Sequence, residues 1–374
     1  MKNKTILLMS TIICVLMYLS TFAQNTNDNI RKNQLFNFGW KFKSGEIPNA
    51  QELNFNDNDW RVLDLPHDFQ FEQPWDQTAN KGRGFKTLGI AWYRKTFKAD
   101  ASWVGRQVFL DFEGIMLHGE VWLNGKKIGG TSYGYLGFET NISNLIKYDD
   151  VNVVAVRSST EGGSRWYTGG GLFRDVHLVV KDPISIARHG VFITTPKISN
   201  QNAEVNVQVE VAGIKNKEYQ LEIITKIVSP EGKQVAETKT MAPKKSNLFE
   251  VEVALPKVNI ANPQLWSCET PHLYSAEVSL VVDGKVTDKL TEKFGIRTIE
   301  FSKEFGLKLN GKKVFLKGVA NHHDLGALGA AAHETAIARM MDKLKAFGFN
   351  HIRTSHNPYS ESFFKLADEK GILV

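Results

Sequence analysis

Cysteine is nearly absent from this chain: 374 residues carry only Cys14 and Cys268. A disulfide-stapled scaffold is thereby excluded, and stability must come from buried cores, of which the length permits two or three. Low-complexity tracts and heptads are also missing, which removes flexible arrays and coiled coils. Lysine and arginine total 46 against 40 acids, for a formal charge of +6 and a pI near 9.0. The basic residues are interleaved with acids apart from knots such as Lys244-Lys245 and Lys312-Lys313. They form no stripe or module of the kind that nucleic-acid binding requires, so no nucleic-acid partner is expected. Long apolar runs are absent except over residues 6–19, short of the roughly 20 residues of a membrane span. Lys2 and Lys4 precede that run and Thr21-Phe22-Ala23 follows it, so residues 1–23 read as a cleaved signal peptide. Cys14 lacks a following small residue, which argues against lipid attachment. The mature chain, starting at Gln24, is then expected to be exported to the periplasm or beyond, with no membrane span. Its one remaining thiol is Cys268.

What is present begins as β structure. Ala91-Trp92-Tyr93-Arg94-Lys95-Thr96-Phe97 and Gln107-Val108-Phe109-Leu110-Asp111-Phe112 alternate large apolar with polar residues, as half-buried strands do. Val121-Trp122-Leu123-Asn124-Gly125-Lys126-Lys127-Ile128-Gly129 is a strand, a tight Asn-Gly turn and a returning strand. Residues 24–182 are therefore expected to form an all-β double-sheet jelly-roll sandwich, with Asp182-Pro183 at its seam. Residues 183–301 carry about seven further alternating segments, the spacing of an immunoglobulin-like sandwich without its paired cysteines. After a hairpin around Asn310-Gly311 the period changes. Val314-Phe315-Leu316-Lys317-Gly318-Val319 reads as a short buried strand, followed by a helix from about Glu334 to Phe347. A strand at Asn350-His351-Ile352-Arg353, a helix from about Ser360 to Lys370 and a third strand at Ile372-Leu373-Val374 follow. Strand, helix, strand, helix, strand is the opening of a (β/α)8 TIM barrel, so residues 302–374 are expected to be its N-terminal portion. The expected fold class is thus multidomain: jelly roll, immunoglobulin-like sandwich, incomplete TIM barrel.

These pieces, in this order, resemble glycoside hydrolase family 2, and most closely its exported β-galactosidases. The resemblance rests on Leu65-Pro66-His67-Asp68, Ala91-Trp92-Tyr93-Arg94-Lys95 and Arg165-Trp166-Tyr167-Thr168-Gly169-Gly170-Gly171-Leu172-Phe173-Arg174-Asp175-Val176 in the first unit. Pro263-Gln264-Leu265-Trp266, Pro271-His272-Leu273-Tyr274 and Phe294-Gly295-Ile296-Arg297 carry it in the second, and residues 350–371 in the third. It implies a retaining exo-glycosidase acting on terminal β-linked sugars through two glutamates at the ends of barrel strands four and seven. Both positions lie beyond Val374, so the chain as it stands is expected to be inactive. β-Glucuronidase and β-mannosidase are the alternatives within the family. A non-catalytic carbohydrate-binding or scaffold protein is the alternative outside it. No cofactor is implied, and homo-oligomerisation of a full-length form is left open.

Polar residues just past the barrel strands are the candidate site. Asp324 follows strand one in the company of His322 and His323. The three are read as sugar-contacting or structural rather than as a metal set, because adjacent residues rarely ligate one metal tetrahedrally. Arg353 ends strand two, and the resemblance implies that it pairs with the nucleophilic glutamate; without one it would be an orphan charge beside solvent. His356 and Asn357 follow it and can donate to sugar hydroxyls. In the first unit the loop carrying Glu161 and Trp166 is implied to reach over the barrel. For Trp166, core packing of the sandwich is weighed above stacking on a pyranose face. The insertion over residues 69–88, with Trp75, Asp76 and Phe85, is a further candidate for shaping the pocket. Glu334 starts the first barrel helix, where a carboxylate favours the dipole and the exposed amides. Glu361, Asp368 and Glu369 ride the second and are expected to be solvated; none of the four belongs to a catalytic pair.

Overall fold

A computed structural model describes residues 30–214, 219–242 and 250–374. The expected signal peptide lies outside the described residues, as does the start of the strand expected over residues 248–255. No helix among the described residues is long and apolar enough to cross a membrane.

The first unit is a sandwich of two antiparallel sheets. One has four strands in the order Arg31–Leu35, Val176–Lys181, Gln107–Phe112, Phe138–Asn141. The other has six, in the order Arg61–Leu63, Trp40–Ser44, Ile90–Lys98, Val151–Ser159, His118–Leu123, Lys126–Thr131. The alternation seen in sequence is the alternation of burial: Val108, Leu110 and Phe112 face the core, and Gln107, Phe109 and Asp111 the opposite side. The turn at Asn124-Gly125 has φ of 52° and 83°, the left-handed pair that a two-residue hairpin demands.

The second unit is also a sandwich. Ser185–Ile198, Asn202–Ala212 and Glu250–Ala254 form one sheet, with Val258–Ala261 paired beside Asn202–Ala212. Gln234–Met241, Leu221–Val228, Tyr274–Val282 and Lys285–Phe294 form the other. Its core is dense in β-branched residues, including Val205, Val207, Val209 and Ile223, as a pleated interior favours.

The third unit opens with a small antiparallel sheet of Ile299–Ser302, Gly306–Leu309 and Lys312–Lys313. Gly318–Asn321 then pairs in parallel with His351–Thr354, and His351 makes a parallel bridge to Leu373. The helices Glu334–Ala346 and Glu361–Lys370 pack their apolar faces, with Ile337, Met341, Phe363 and Leu366, on this ladder. The second helix ends at Gly371, in the left-handed conformation of a C-cap, where a Cβ would strike the Cys268 carbonyl. One expectation is corrected. The first barrel strand starts at Gly318 rather than Val314, and it is not buried: Phe315 is 78% exposed. A parallel strand is buried only when covered on both faces. This one has a single partner strand among the described residues.

The units are tied together by buried polar groups. Arg31 of the first donates to both oxygens of Asp288 in the second, at 2.8 and 2.6 Å, and Asp288 is completely buried. Asp288 also accepts from the Ile186 N–H at 2.7 Å. Trp266 of the second unit donates its indole N–H to the Asp368 carbonyl of the third at 2.7 Å. Removing one partner of a buried pair leaves an uncompensated charge. Arg31→Met is expected to lower unfolding free energy by about 3 kcal/mol, read from the urea midpoint by circular dichroism.

Candidate functional site

The site is built where the first unit meets the ends of the two barrel strands. Asp68 fixes the approach. Its carboxylate, almost fully buried, accepts from the backbone N–H groups of Gln70 (3.0 Å), Phe71 (3.3 Å) and Gly170 (2.8 Å). Its second oxygen accepts from the Ala330 N–H of the barrel loop (2.8 Å) and from the Tyr167 hydroxyl. Burial pushes the Asp68 carboxyl above its ordinary range, and these donors pull it back toward the ionised form. Glycine is required beside it: Gly169, at φ +73°, would place a Cβ against Ala330 and the Asp68 carboxylate.

Arg174 is the second anchor. It is 3% exposed, and its guanidinium donates to the carbonyls of Tyr135 (2.9 Å) in the first unit and Pro358 (2.6 Å) in the barrel. Burial pulls its pKa down to about 10, which leaves it cationic at neutral pH. The Pro358 bond holds the loop after the second barrel strand against the sandwich.

With these anchors in place, the strand-end residues converge on aromatic side chains of the first unit. His322 and His356 meet edge to face, with centroids 5.6 Å apart, and Trp166 meets His356 at 6.0 Å. Tyr133 donates its hydroxyl to Asn357 Oδ1 at 2.7 Å. His323 is sandwiched, stacking on Tyr359 at 4.1 Å and lying 4.7 Å from Tyr135. Burial and the nearby Arg174 pull its pKa down to about 3, so the ring is neutral. Its Nε2 is buried without a partner, beside a cavity of about 20 Å³, roughly one water in size.

The candidate residues fare unequally. His322, His356, Asn357 and Trp166 are brought together. Trp166 is not core: the loop leaves the sandwich, so its ring is half-buried between Tyr135 and the barrel. Asp324 is exposed; burial raises the Tyr167 and Tyr359 phenols, and the Asp324 charge adds a smaller push in the same direction. Arg353 is exposed and reaches only Ser355 Oγ, at 3.5 Å, with no carboxylate partner among the described residues. Glu161 is exposed too, and among the described residues its side chain makes no hydrogen bond to the cluster. His322, His323 and Asp324 do not converge as a metal set; the one such group among the described residues lies elsewhere. The insertion over residues 69–88 packs against the 161–167 loop, where Gly82 approaches the Arg165 carbonyl and Gly163 approaches Arg83 and Leu88. Glu334 and Glu361 are exposed and Asp368 and Glu369 half-buried, and all four border a water-accessible cavity between the units. Sequence reasoning missed Tyr133, Tyr135 and Tyr359 as members of the site, and missed Asp68 and Arg174 as its anchors. Asp68 and Arg174 stand inside motifs that had been singled out for resemblance alone.

The sequence matches three family profiles in chain order. They are "Glycosyl hydrolases family 2, sugar binding domain" over residues 57–183, "Glycosyl hydrolases family 2" over 185–297 and "Glycosyl hydrolases family 2, TIM barrel domain" over 301–374. The chain belongs to glycosyl hydrolases family 2. Among family 2 relatives, it is 35% identical to the β-galactosidase BoGH2A of Bacteroides ovatus, over 92% of this chain and 41% of that protein. It is 30% identical to a β-glucuronidase of Bacteroides fragilis, over 98% of this chain and 51% of that one. A solved family 2 member from Bacteroides cellulosilyticus superposes with a TM-score of 0.88 at 36% identity, covering 92% of this chain and 45% of its own. The chain thus spans about half or less of the length of each of these relatives.

One consequence concerns pH. A histidine whose folded pKa is about 3 against an ordinary 6.5 stays unprotonated in the fold while the unfolded chain takes up a proton. The stability this ring carries is fully present above pH 6.5 and is lost as pH falls from there toward 3. His323→Phe is expected to flatten the dependence of melting temperature on pH below 6.5, measured by scanning fluorimetry at matched ionic strength.

Proposed function

We propose that the full-length protein is an exported, retaining exo-glycosidase of the β-galactosidase type, to which this chain contributes the two β sandwiches and the first barrel strands. The observation that carries the reading is the shared site. Barrel strand ends bearing His322, His356 and Asn357 are met by Trp166 and Tyr133 of the first unit. An aromatic face beside polar donors suits a pyranose, which is apolar on its C–H faces and polar at its rim. The β-galactosidase of Bacteroides ovatus, at 35% identity, supports the same sugar class. A second reading, β-glucuronidase, is supported by the 30% identical relative from Bacteroides fragilis.

Retention requires two carboxyls about 5–5.5 Å apart across the scissile bond. Asp324 is the one acid that directly follows either of the two described barrel strands, and Asp68 is locked into the interface. In this reading the catalytic pair comes from later barrel strands, and Arg353, which has no carboxylate partner among the described residues, orients one of them. His322, Asp324, His356 and Asn357 bind sugar hydroxyls, with Trp166 beneath the ring and Glu161 at the rim.

Full-length protein is expected to hydrolyse p-nitrophenyl β-galactoside in preference to the β-glucuronide, with retention seen by proton NMR of the first-formed sugar. Preference for the glucuronide would replace the first reading with the second, and inversion or no hydrolysis of either would reject both. In the same protein Arg353→Ala is expected to lower kcat/KM by about a hundredfold, the scale of a misplaced catalytic group. An unchanged melting temperature would separate that loss from unfolding.

A further inference from the structure

A cavity of about 650 Å³ lies away from the proposed sugar site, between the first sandwich, the second sandwich and the helix Glu361–Lys370. One wall is the outer face of the four-stranded sheet. On that face Asp-Phe-Glu of residues 111–113 ends one strand and Asp-Val-His of residues 175–177 begins its neighbour. His177 lies directly opposite Asp111, with Glu113 and Asp175 just past the strand ends. Phe112 and Val176, between them, point into the core. Alternation therefore aims Asp111, Glu113, Asp175 and His177 at the same space.

Ligand atoms of Glu113, Asp175 and His177 all lie within 4.8 Å of one another. That span is the diameter of a first coordination sphere, given metal–oxygen and metal–nitrogen bonds of about 2.0–2.4 Å. The charges are poorly compensated without a cation. Glu113 is 9% exposed, and among the described residues its carboxylate accepts no hydrogen bond; its closest cationic candidate is His177 Nε2, at 3.7 Å. Asp175 is held by a neutral donor, the Asn37 amide, at 2.7 Å. The His177 Nδ1 and Asp111 Oδ1 atoms are buried without partners. The nearby guanidinium of Arg188 is engaged with the other oxygen of Asp111 at 2.9 Å and lies 3.8 Å from Glu361. Glu361 of the barrel helix borders the same cavity, 3.4 Å from His189 Nε2 and 3.8 Å from Arg188.

The geometry points to a divalent cation site at Glu113, Asp175 and His177, facing the cavity between the sandwiches and the barrel. Two carboxylates and one imidazole select an ion that accepts both oxygen and nitrogen, such as Mn2+ or Zn2+, over one that requires an all-oxygen shell. A bound ion would neutralise the carboxylates of that wall beyond what Arg188 and His189 offset near Glu361, and would thereby favour docking of the barrel helix on the sandwich.

The test uses full-length protein stripped with EDTA and dialysed. Mn2+ and Zn2+ are each titrated calorimetrically, and melting is followed in parallel. Saturable binding of one ion per chain is expected, with melting raised by about 5 °C at a hundredfold excess over Kd. Glu113→Gln with His177→Gln is expected to weaken binding at least about tenfold. Glu334→Gln, on the same cavity, is expected to leave it unchanged. Should the double variant fail to fold, pulsed electron paramagnetic resonance on the wild type with Mn2+ decides: coupling to an imidazole nitrogen is expected. Absence of that coupling, equal binding by wild type and a folded double variant, or only weak unsaturable uptake would each overturn the site.

Discussion

The arrangement of this molecule depends on one buried carboxylate. Asp68 takes hydrogen bonds from its own short helix, from the glycine-rich loop at Gly170, from Tyr167 and from Ala330 of the barrel loop. Taking a carboxylate out of water costs several kcal/mol, which is recovered only if its lone pairs are filled. Those lone pairs are filled only when the barrel loop is seated. The cost of burial is thereby converted into a geometric condition: sandwich and barrel meet in one register, or the charge is left unsatisfied. The loop that completes the shell can approach only because residues 169–171 carry no side chain.

Arg174 repeats this logic at the same seam, and the Arg31–Asp288 pair at another. Arg174 binds carbonyls from both sides of the first seam, and Asp288 gathers Arg31 and the Ile186 N–H at the seam between the sandwiches. Such groups add little net stability compared with well-packed apolar residues, and their value lies in the arrangement they exclude. Apolar packing fills each sandwich independently, while directional bonds orient the sandwiches and the barrel to one another.

That orientation is what makes the site composite. His322, His356 and Asn357 stand on the barrel, whereas Trp166, Tyr133 and Tyr135 stand on the first sandwich. The same docking encloses the acidic cavity on the far side of the seam, where the helix carrying Glu361 faces Asp111 and Glu113. The proposed sugar site and the proposed cation site are therefore two consequences of one interface.

Much was legible in the chain itself. Period-two alternation marks the strands because burial on one face of a sheet is local and repetitive, as Val108, Leu110 and Phe112 illustrate. The Asn124-Gly125 turn and the Gly371 stop are equally readable, since left-handed backbone selects those residues. Order along the chain sufficed for the family. What sequence could not convey is which groups meet across 60 residues or more. Tyr133 and Asn357, Asp68 and Ala330, Glu113 and His177 become partners only through docking and strand register. Trp166, weighed toward the core, lies instead at the seam, because a loop's destination is set by the surface that receives it. Local periodicity and backbone sterics thus determined the elements and their order, while long-range packing with buried charge satisfaction decided the site.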